Sequence, residues 1–201
     1  MTRTALEHSP TKERLLNAAQ ALMVTQGFAA TTVEEICEQA KLTKGSFFHY
    51  FESKDELGTV LLKRFCDAGD QLHRSWCGKE RDLLKRVYRY IDGMVTLTRD
   101  PVMRRGCLLG TFAQELCDSH PAIRQQCAKG FEAWAVQFGE ELARAKARYA
   151  PEASFDPTEL AEHLIAIMEG SLILGKARNN MQVVARNLRH YKRYLQSLFG
   201  R

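Results

Sequence analysis

The segment Leu42-Thr-Lys-Gly-Ser-Phe-Phe-His-Tyr-Phe-Glu-Ser-Lys54 sets small, hydroxylated and cationic residues ahead of a run of five rings. Lys44 matches the acceptors on a guanine edge, His49 and Tyr50 carry polar ring atoms, and Gly45 and Ser46 let a backbone come close to a partner. A second segment, Arg104-Arg105-Gly106-Cys107, places a thiol beside two guanidinium groups near an expected helix start. That setting favours thiolate, the nucleophilic form of cysteine. One segment is suited to a polyanion, the other to an electrophile or oxidant.

Both segments need helices to hold them. Spacing by three and four runs through nearly the whole chain and strict alternation is absent, so the fold expected is all-α. Thr32-Val-Glu-Glu35 and Ser53-Lys-Asp-Glu56 read as capping boxes. Asp100-Pro101 and Asp156-Pro157 each put a capping acid before a proline. These signals predict about nine helices, near 10–26, 33–40, 44–50, 54–76, 81–98, 102–117, 121–148, 157–178 and 181–198. Val33, Ile36, Cys37 and Ala40 form one apolar stripe, Leu42 follows in a tight turn, and Thr43 caps the next helix. That is a helix-turn-helix, whose second helix enters the DNA major groove by its amino-terminal part. Phe47 and Phe51 are expected inward, and Phe48, His49 and Tyr50 near the outer faces. Thr32, Thr43 and Lys54 mark three helix amino termini, where N–H groups and the helix dipole favour phosphate. Such contacts set register on the duplex, while Lys44 and His49 are the candidates for base edges.

The composition is that of a globular protein, 45% hydrophobic and 26% charged over 201 residues. No apolar run is long enough to cross a bilayer, and Met1–His8 lacks the apolar stretch of a signal peptide, so a cytoplasmic location with no membrane partner is expected. Six scattered cysteines without CxxC spacing read as reduced thiols. The formal charge is +5, yet residues 1–55 hold six cations against seven acids, whereas after Glu169 there are seven cations and no acid. That basic end is either a solvated face or a contact surface for DNA or for acidic partners.

The span from about Thr11 to Gln71 resembles the tetracycline-repressor (TetR/AcrR) family of bacterial regulators. The matching residues are Ala18-Ala19, Gly27-Phe28, Thr31-Thr32-Val33, Ile36, Ala40, Lys44-Gly45-Ser46-Phe47 and His49-Tyr50-Phe51-Glu-Ser-Lys54. The resemblance implies a DNA-binding domain over 11–71, with its recognition motif at about 34–53, and an effector-binding and dimerisation domain over 72–201. It implies a homodimer on a palindromic operator, acting as a repressor released by a small ligand. Phe48 departs from the family's usual tyrosine and has no hydroxyl to offer a phosphate.

In the larger part, Val184, Leu188, Tyr191, Leu195 and Leu198 recur at four-three spacing, and the preceding helix offers Leu160, Leu164, Ile167 and Ser171. Family resemblance makes Leu164, Ser171, Val184, Leu188, Tyr191 and Leu195 the dimer face; an intrachain seam is the other reading. Phe131, Trp134 and Phe138 form an aromatic stripe, either core or the lining of an effector pocket with Leu108, Phe112 and Met168. The segment around Cys107 and the stretch Leu172–Lys176 are similar to the N-ethylmaleimide-reductase repressor branch, which implies a thiol-reactive effector sensed at Cys107. Lys176, or a second cysteine such as Cys117, would trap the oxidised thiol; the other reading is that Lys176 extends its amine to water. Cys107 as a buried structural thiol stays open.

Cys117 and His120 have ligand spacing, but Pro121 interrupts them and no second pair exists, so neither metal nor cofactor is expected. GxSxG, P-loop, dinucleotide and HExxH motifs are absent, which argues against an enzyme. A helical enzyme and a protein-only adaptor are the alternatives to a DNA-binding regulator.

Overall fold

The computed structural model describes residues 9–101 and 103–200. Met1–His8 and the expected helix start at position 102 lie outside the described residues. Among the described residues there are nine α-helices and no strand: α1 (Pro10–Gln26), α2 (Val33–Ala40), α3 (Lys44–Tyr50), α4 (Lys54–Cys77), α5 (Leu83–Leu97), α6 (Leu108–Leu116), α7 (Pro121–Tyr149), α8 (Pro157–Ala177) and α9 (Gln182–Leu198).

Local chemistry accounts for the boundaries. Pro10 opens α1 and Gly27, at φ 94°, ends it. The box at α2 is complete: Thr32 accepts from the Glu35 N–H, and the Glu35 carboxylate accepts from the Thr32 N–H. At α4 only half forms as expected. Ser53 accepts from the Glu56 N–H, but Glu56 turns to the N–H of Glu52 at 2.6 Å. Asp82 caps α5, and Asp156 caps α8 through the N–H groups of Thr158 and Glu159.

The sixth helix departs from expectation. Met103–Arg105 is a 3-10 turn, Gly106 takes φ 129°, and α6 begins only at Leu108. A positive φ of that size is open to glycine alone at low cost, so Gly106 separates the arginines from the helix they were expected to join.

The chain forms two compact units. One holds residues up to Phe65 together with Leu108–Ala128; the other holds Cys66–Cys107 and Lys129 onward. In the first, Leu15, Ala19, Met23, Phe28, Ile36, Phe47, Phe51, Leu57 and Phe112 make the core. Arg64 ties α4 to α1 through Glu13, Asn17 and Gln20. In the second, α8 and α9 form a tight pair in which the Tyr191 hydroxyl donates to the buried Leu160 carbonyl at 2.6 Å. Arg86 meets the buried Glu141 carboxylate with two hydrogen bonds, at 2.7 and 2.5 Å.

Candidate nucleic-acid interface and thiol site

The turn between α2 and α3 is held from several sides. Lys41 takes a left-handed φ of 53°. The Leu42 N–H donates to the Cys37 carbonyl, and the Cys37 thiol donates to the Thr43 carbonyl at 3.5 Å. The Arg14 guanidinium, from α1, bonds the carbonyls of Ala40 and Lys41. Burial pushes the Cys37 thiol up from its ordinary value, and Glu34 adds to the shift. Phe47 and Phe51, fully buried with ring centroids 5.5 Å apart, fix the rotation of α3.

The outer surface of α3 carries Lys44, Gly45, Ser46, Phe48 and His49. A Cβ added at Gly45 would meet only the Thr43 hydroxyl, at 3.6 Å, so this helix start is open to close approach. Lys44 pairs with Glu34 of α2, both side chains 58% exposed. The Lys44 ammonium beside it holds the Glu34 carboxyl below its ordinary range. A pair this exposed is screened by solvent and readily exchanged for a partner with denser charge. Phe48 is 57% exposed, with no polar atom, and rests edge-on against Phe47.

Other expected contact residues are occupied within the chain. The Thr32 hydroxyl is spent on Glu35, and the Thr43 hydroxyl accepts from the Ser46 N–H and pairs with the Ser46 hydroxyl at 3.0 Å. The Tyr50 hydroxyl pairs with Ser9 at 2.8 Å, which anchors the start of α1. The Lys54 amine, expected to face phosphate, donates instead to the carbonyls of Phe28 and Thr31, at 2.9 and 2.8 Å, above the Phe28 ring. Lys54 and Tyr50 are therefore positioning residues in this state. The reach of a long side chain back to orphan carbonyls outcompetes extension into water.

Sequence reasoning missed Glu115. Its two carboxylate oxygens accept from the Phe28 and Ala29 N–H groups, each at 2.7 Å. Phe112, expected in an effector pocket, is instead in the core of the first unit, edge-on to Phe28 at 5.4 Å. So α6 is part of the packing of the reading head. The Phe28 and Ala29 N–H groups, beyond the end of α1, were the only sequence signal, and they do not name their partner.

In the second unit Cys107 is buried. Arg104 and Arg105, expected beside the thiol, are exposed. The thiol instead hydrogen-bonds the Glu169 carboxyl of α8. Burial raises the Glu169 carboxyl above its ordinary value, and the Cys107 bond and the Lys176 charge draw it part of the way back. One Glu169 oxygen is buried without a hydrogen-bond partner. Cys107 and Lys176 are thus both brought to one carboxyl group, which the sequence reading had not placed between them. Trp134 donates to the Tyr90 hydroxyl at 2.6 Å, and Tyr90 stacks on Phe138, so this part of the stripe is an internally bonded core.

The six side chains expected at a dimer face are covered largely by the chain itself. Leu164, Ser171, Val184, Leu188, Tyr191 and Leu195 are all buried within a single chain. They form the seam between α8 and α9, with Ser171 accepting from Asn187 at 2.9 Å. A four-three repeat marks the stripe that one helix buries but not the element that buries it. The apolar side chains this pair leaves exposed are Ile173, Leu174 and Tyr194, beside a shallow groove of about 410 Å³ that Ile167, Gly170, Ser171 and Tyr191 also line.

A helix-turn-helix with an open, small-residue recognition-helix start, followed by a helical second unit, defines a DNA-binding transcriptional regulator. Residues 15–58 match the family of bacterial regulatory proteins, tetR family, and residues 84–191 match the tetracyclin repressor-like C-terminal domain. The chain belongs to the TetR family of transcriptional regulators and is not an enzyme. It is 27% identical over 190 residues to the HTH-type transcriptional repressor NemR of Escherichia coli K12, covering 92% of this chain and 94% of that one. It is 24% identical over 177 residues to the HTH-type transcriptional repressor DhaR of Mycobacterium sp. GP1, covering 88% of each. The crystal structure of the reduced form of E. coli NemR superposes with a TM-score of 0.78 at 24% identity, over 92% of this chain and 97% of that one. Among the described residues no helix is long and apolar enough to cross a membrane, and no cluster of residues could hold a metal ion.

Proposed function

We propose that this regulator is a homodimeric repressor of a palindromic operator, released when a thiol-reactive effector modifies Cys107. Residues 11–71 read DNA, and residues 72–201 hold the effector site and the dimer face. Lys44 leaves Glu34 for a guanine edge, Gly45 and Ser46 admit the backbone to the groove, and His49 and the amino termini of α2 and α3 meet phosphates or base edges. Phe48 presents its apolar ring to a thymine methyl rather than to a phosphate. The exposed strip of Ile173, Leu174 and Tyr194 supports dimerisation through α8 and α9. Gly170, where an added Cβ would meet nothing, admits a partner helix.

The observation that carries the release step is the position of Cys107, directly before the helix whose Glu115 holds the Phe28–Ala29 turn. A hydroperoxide oxidises the thiolate to sulfenic acid, with the peroxide oxygen transferred and its alcohol or water released. The Lys176 amine then attacks sulfur and expels water, closing an S–N bond. An unsaturated carbonyl adds to the same thiolate without redox change. Either product consumes the thiol that Glu169 holds. Release follows if the modified chain favours a dimer whose heads no longer match major grooves about 34 Å apart.

The test is a gel-shift titration on the DNA upstream of its own gene, with and without a mild oxidant or alkylator, for wild type and Cys107→Ser. Wild type releasing while the serine variant stays bound is the expected result. Release of both overturns the assignment to Cys107. A non-covalent effector near Trp134 is the second reading, and binding without thiol dependence would favour it.

A further inference from the structure

The second unit carries a cleft, of about 820 Å³, between the end of α5, the 3-10 turn and the start of α9. Arg99, Arg104, Arg186 and Arg189 line it, with the amides of Asn180 and Gln182 beside them. Four other cations of this unit are paired with acids: Arg86 with Glu141, Arg89 with Glu80, Arg144 with Glu140, Lys192 with Asp92. Among the described residues, none of the four cleft arginines has a carboxylate within 4.0 Å. The chain after Glu169 supplies no acid that could serve. The amino-terminal end of α9, whose dipole favours negative charge, opens on the same cleft.

We infer that this four-arginine cleft is a binding site for a small organic polyanion carrying two or more phosphoryl groups. Guanidinium forks match phosphate oxygens in pairs and stay charged at every physiological pH. Uncompensated, the four repel one another; a ligand with three or four negative charges removes that repulsion. The volume is that of a site for a nucleotide-sized molecule. The site shares no side chain with the Cys107, Glu169 and Lys176 cluster and does not rest on thiol chemistry.

The experiment is calorimetric titration and thermal unfolding of the full chain with pyrophosphate and with ATP in EDTA, at ionic strength held constant with NaCl. Saturable binding, one per chain, with a rise in melting temperature is expected. Arg99→Gln combined with Arg186→Gln should weaken it at least tenfold. Arg178→Gln combined with Arg193→Gln, outside the cleft but on the same basic end, should leave it unchanged. Arg99→Lys, which keeps the charge but loses the fork, should fall between. Each variant's melting shift is read against its own ligand-free baseline, so a small loss of stability does not obscure the result. Cys107→Ser should bind as wild type does. The inference is overturned if NaCl alone reproduces the shift, if both double variants lose binding equally, or if citrate binds tighter than pyrophosphate. It is also overturned if only non-operator duplex DNA binding depends on Arg99 and Arg186, which would make the face a nucleic-acid contact.

Discussion

Replacing Glu115 by alanine strips both acceptors from the Phe28–Ala29 turn. That turn is held by opposite charges: the carboxylate takes two N–H groups, while the Lys54 amine takes the Phe28 and Thr31 carbonyls. A hydrogen bond to a charged group contributes about 1.5–3 kcal/mol, but Glu115 is exposed and water replaces part of each bond. Ala29 is exposed and its N–H is readily solvated, whereas Phe28 is buried and the loss there is the larger. The two together give about 1–3 kcal/mol. At about 2–4 °C per kcal/mol for a chain of this length, the melting temperature falls by about 2–12 °C. Glu115→Gln keeps one acceptor and should lose about half as much. Hydrogen exchange reads the contact directly: about 1.4 kcal/mol corresponds to tenfold, so the Phe28 and Ala29 amides should exchange roughly ten times faster in Glu115→Ala. The same variant should bind operator DNA yet lose most of the difference between oxidant-treated and untreated protein. Unchanged exchange at both amides would refute the clamp, and an intact oxidant response would refute its part in release.

Three further outcomes are expected. Arg86→Met leaves the Glu141 carboxylate, 2% exposed, without its partner and should destabilise the protein by about 3–5 kcal/mol in urea unfolding. Tyr194→Asp on the exposed strip should convert dimer to monomer in light scattering while leaving the circular dichroism unchanged; a dimer that persists rules that face out. Burial raises the folded-state value of Glu169 above its ordinary value of 4.5. Its protonation therefore favours the folded state fully below pH 4.5, and that contribution is lost as pH rises through the folded value. Glu169→Gln should accordingly melt higher than wild type at pH 8, with the advantage shrinking toward pH 4.5; equal melting curves at both pH values would count against a carboxyl raised by burial.

How far the sequence was legible follows the range of the interactions. The start of α2 depends on Thr32 and Glu35, three residues apart, and such a cap forms wherever that tetrapeptide begins a helix. The order of helices, the helix-turn-helix and the open start of α3 at Lys44, Gly45 and Ser46 are therefore sequence properties. Even here a local signal gave way at Glu56, which chose the Glu52 N–H, and at Gly106, whose φ broke a helix that spacing alone would continue.

What only the tertiary structure decided are pairings between residues far apart in the chain. Glu115 meets Phe28 across 87 positions, and Cys107, just ahead of α6, meets Glu169 of α8. A stripe on α9 declares that Leu188 and Leu195 will be buried, but not that α8 of the same chain, rather than a second copy, covers them. Charge behaves the same way: Lys54 and Tyr50 look free in sequence because the carbonyls and hydroxyl that occupy them arrive through packing. Periodicity and caps depend on neighbours along one helix; the choice of partner depends on which surfaces the whole chain can bury at once.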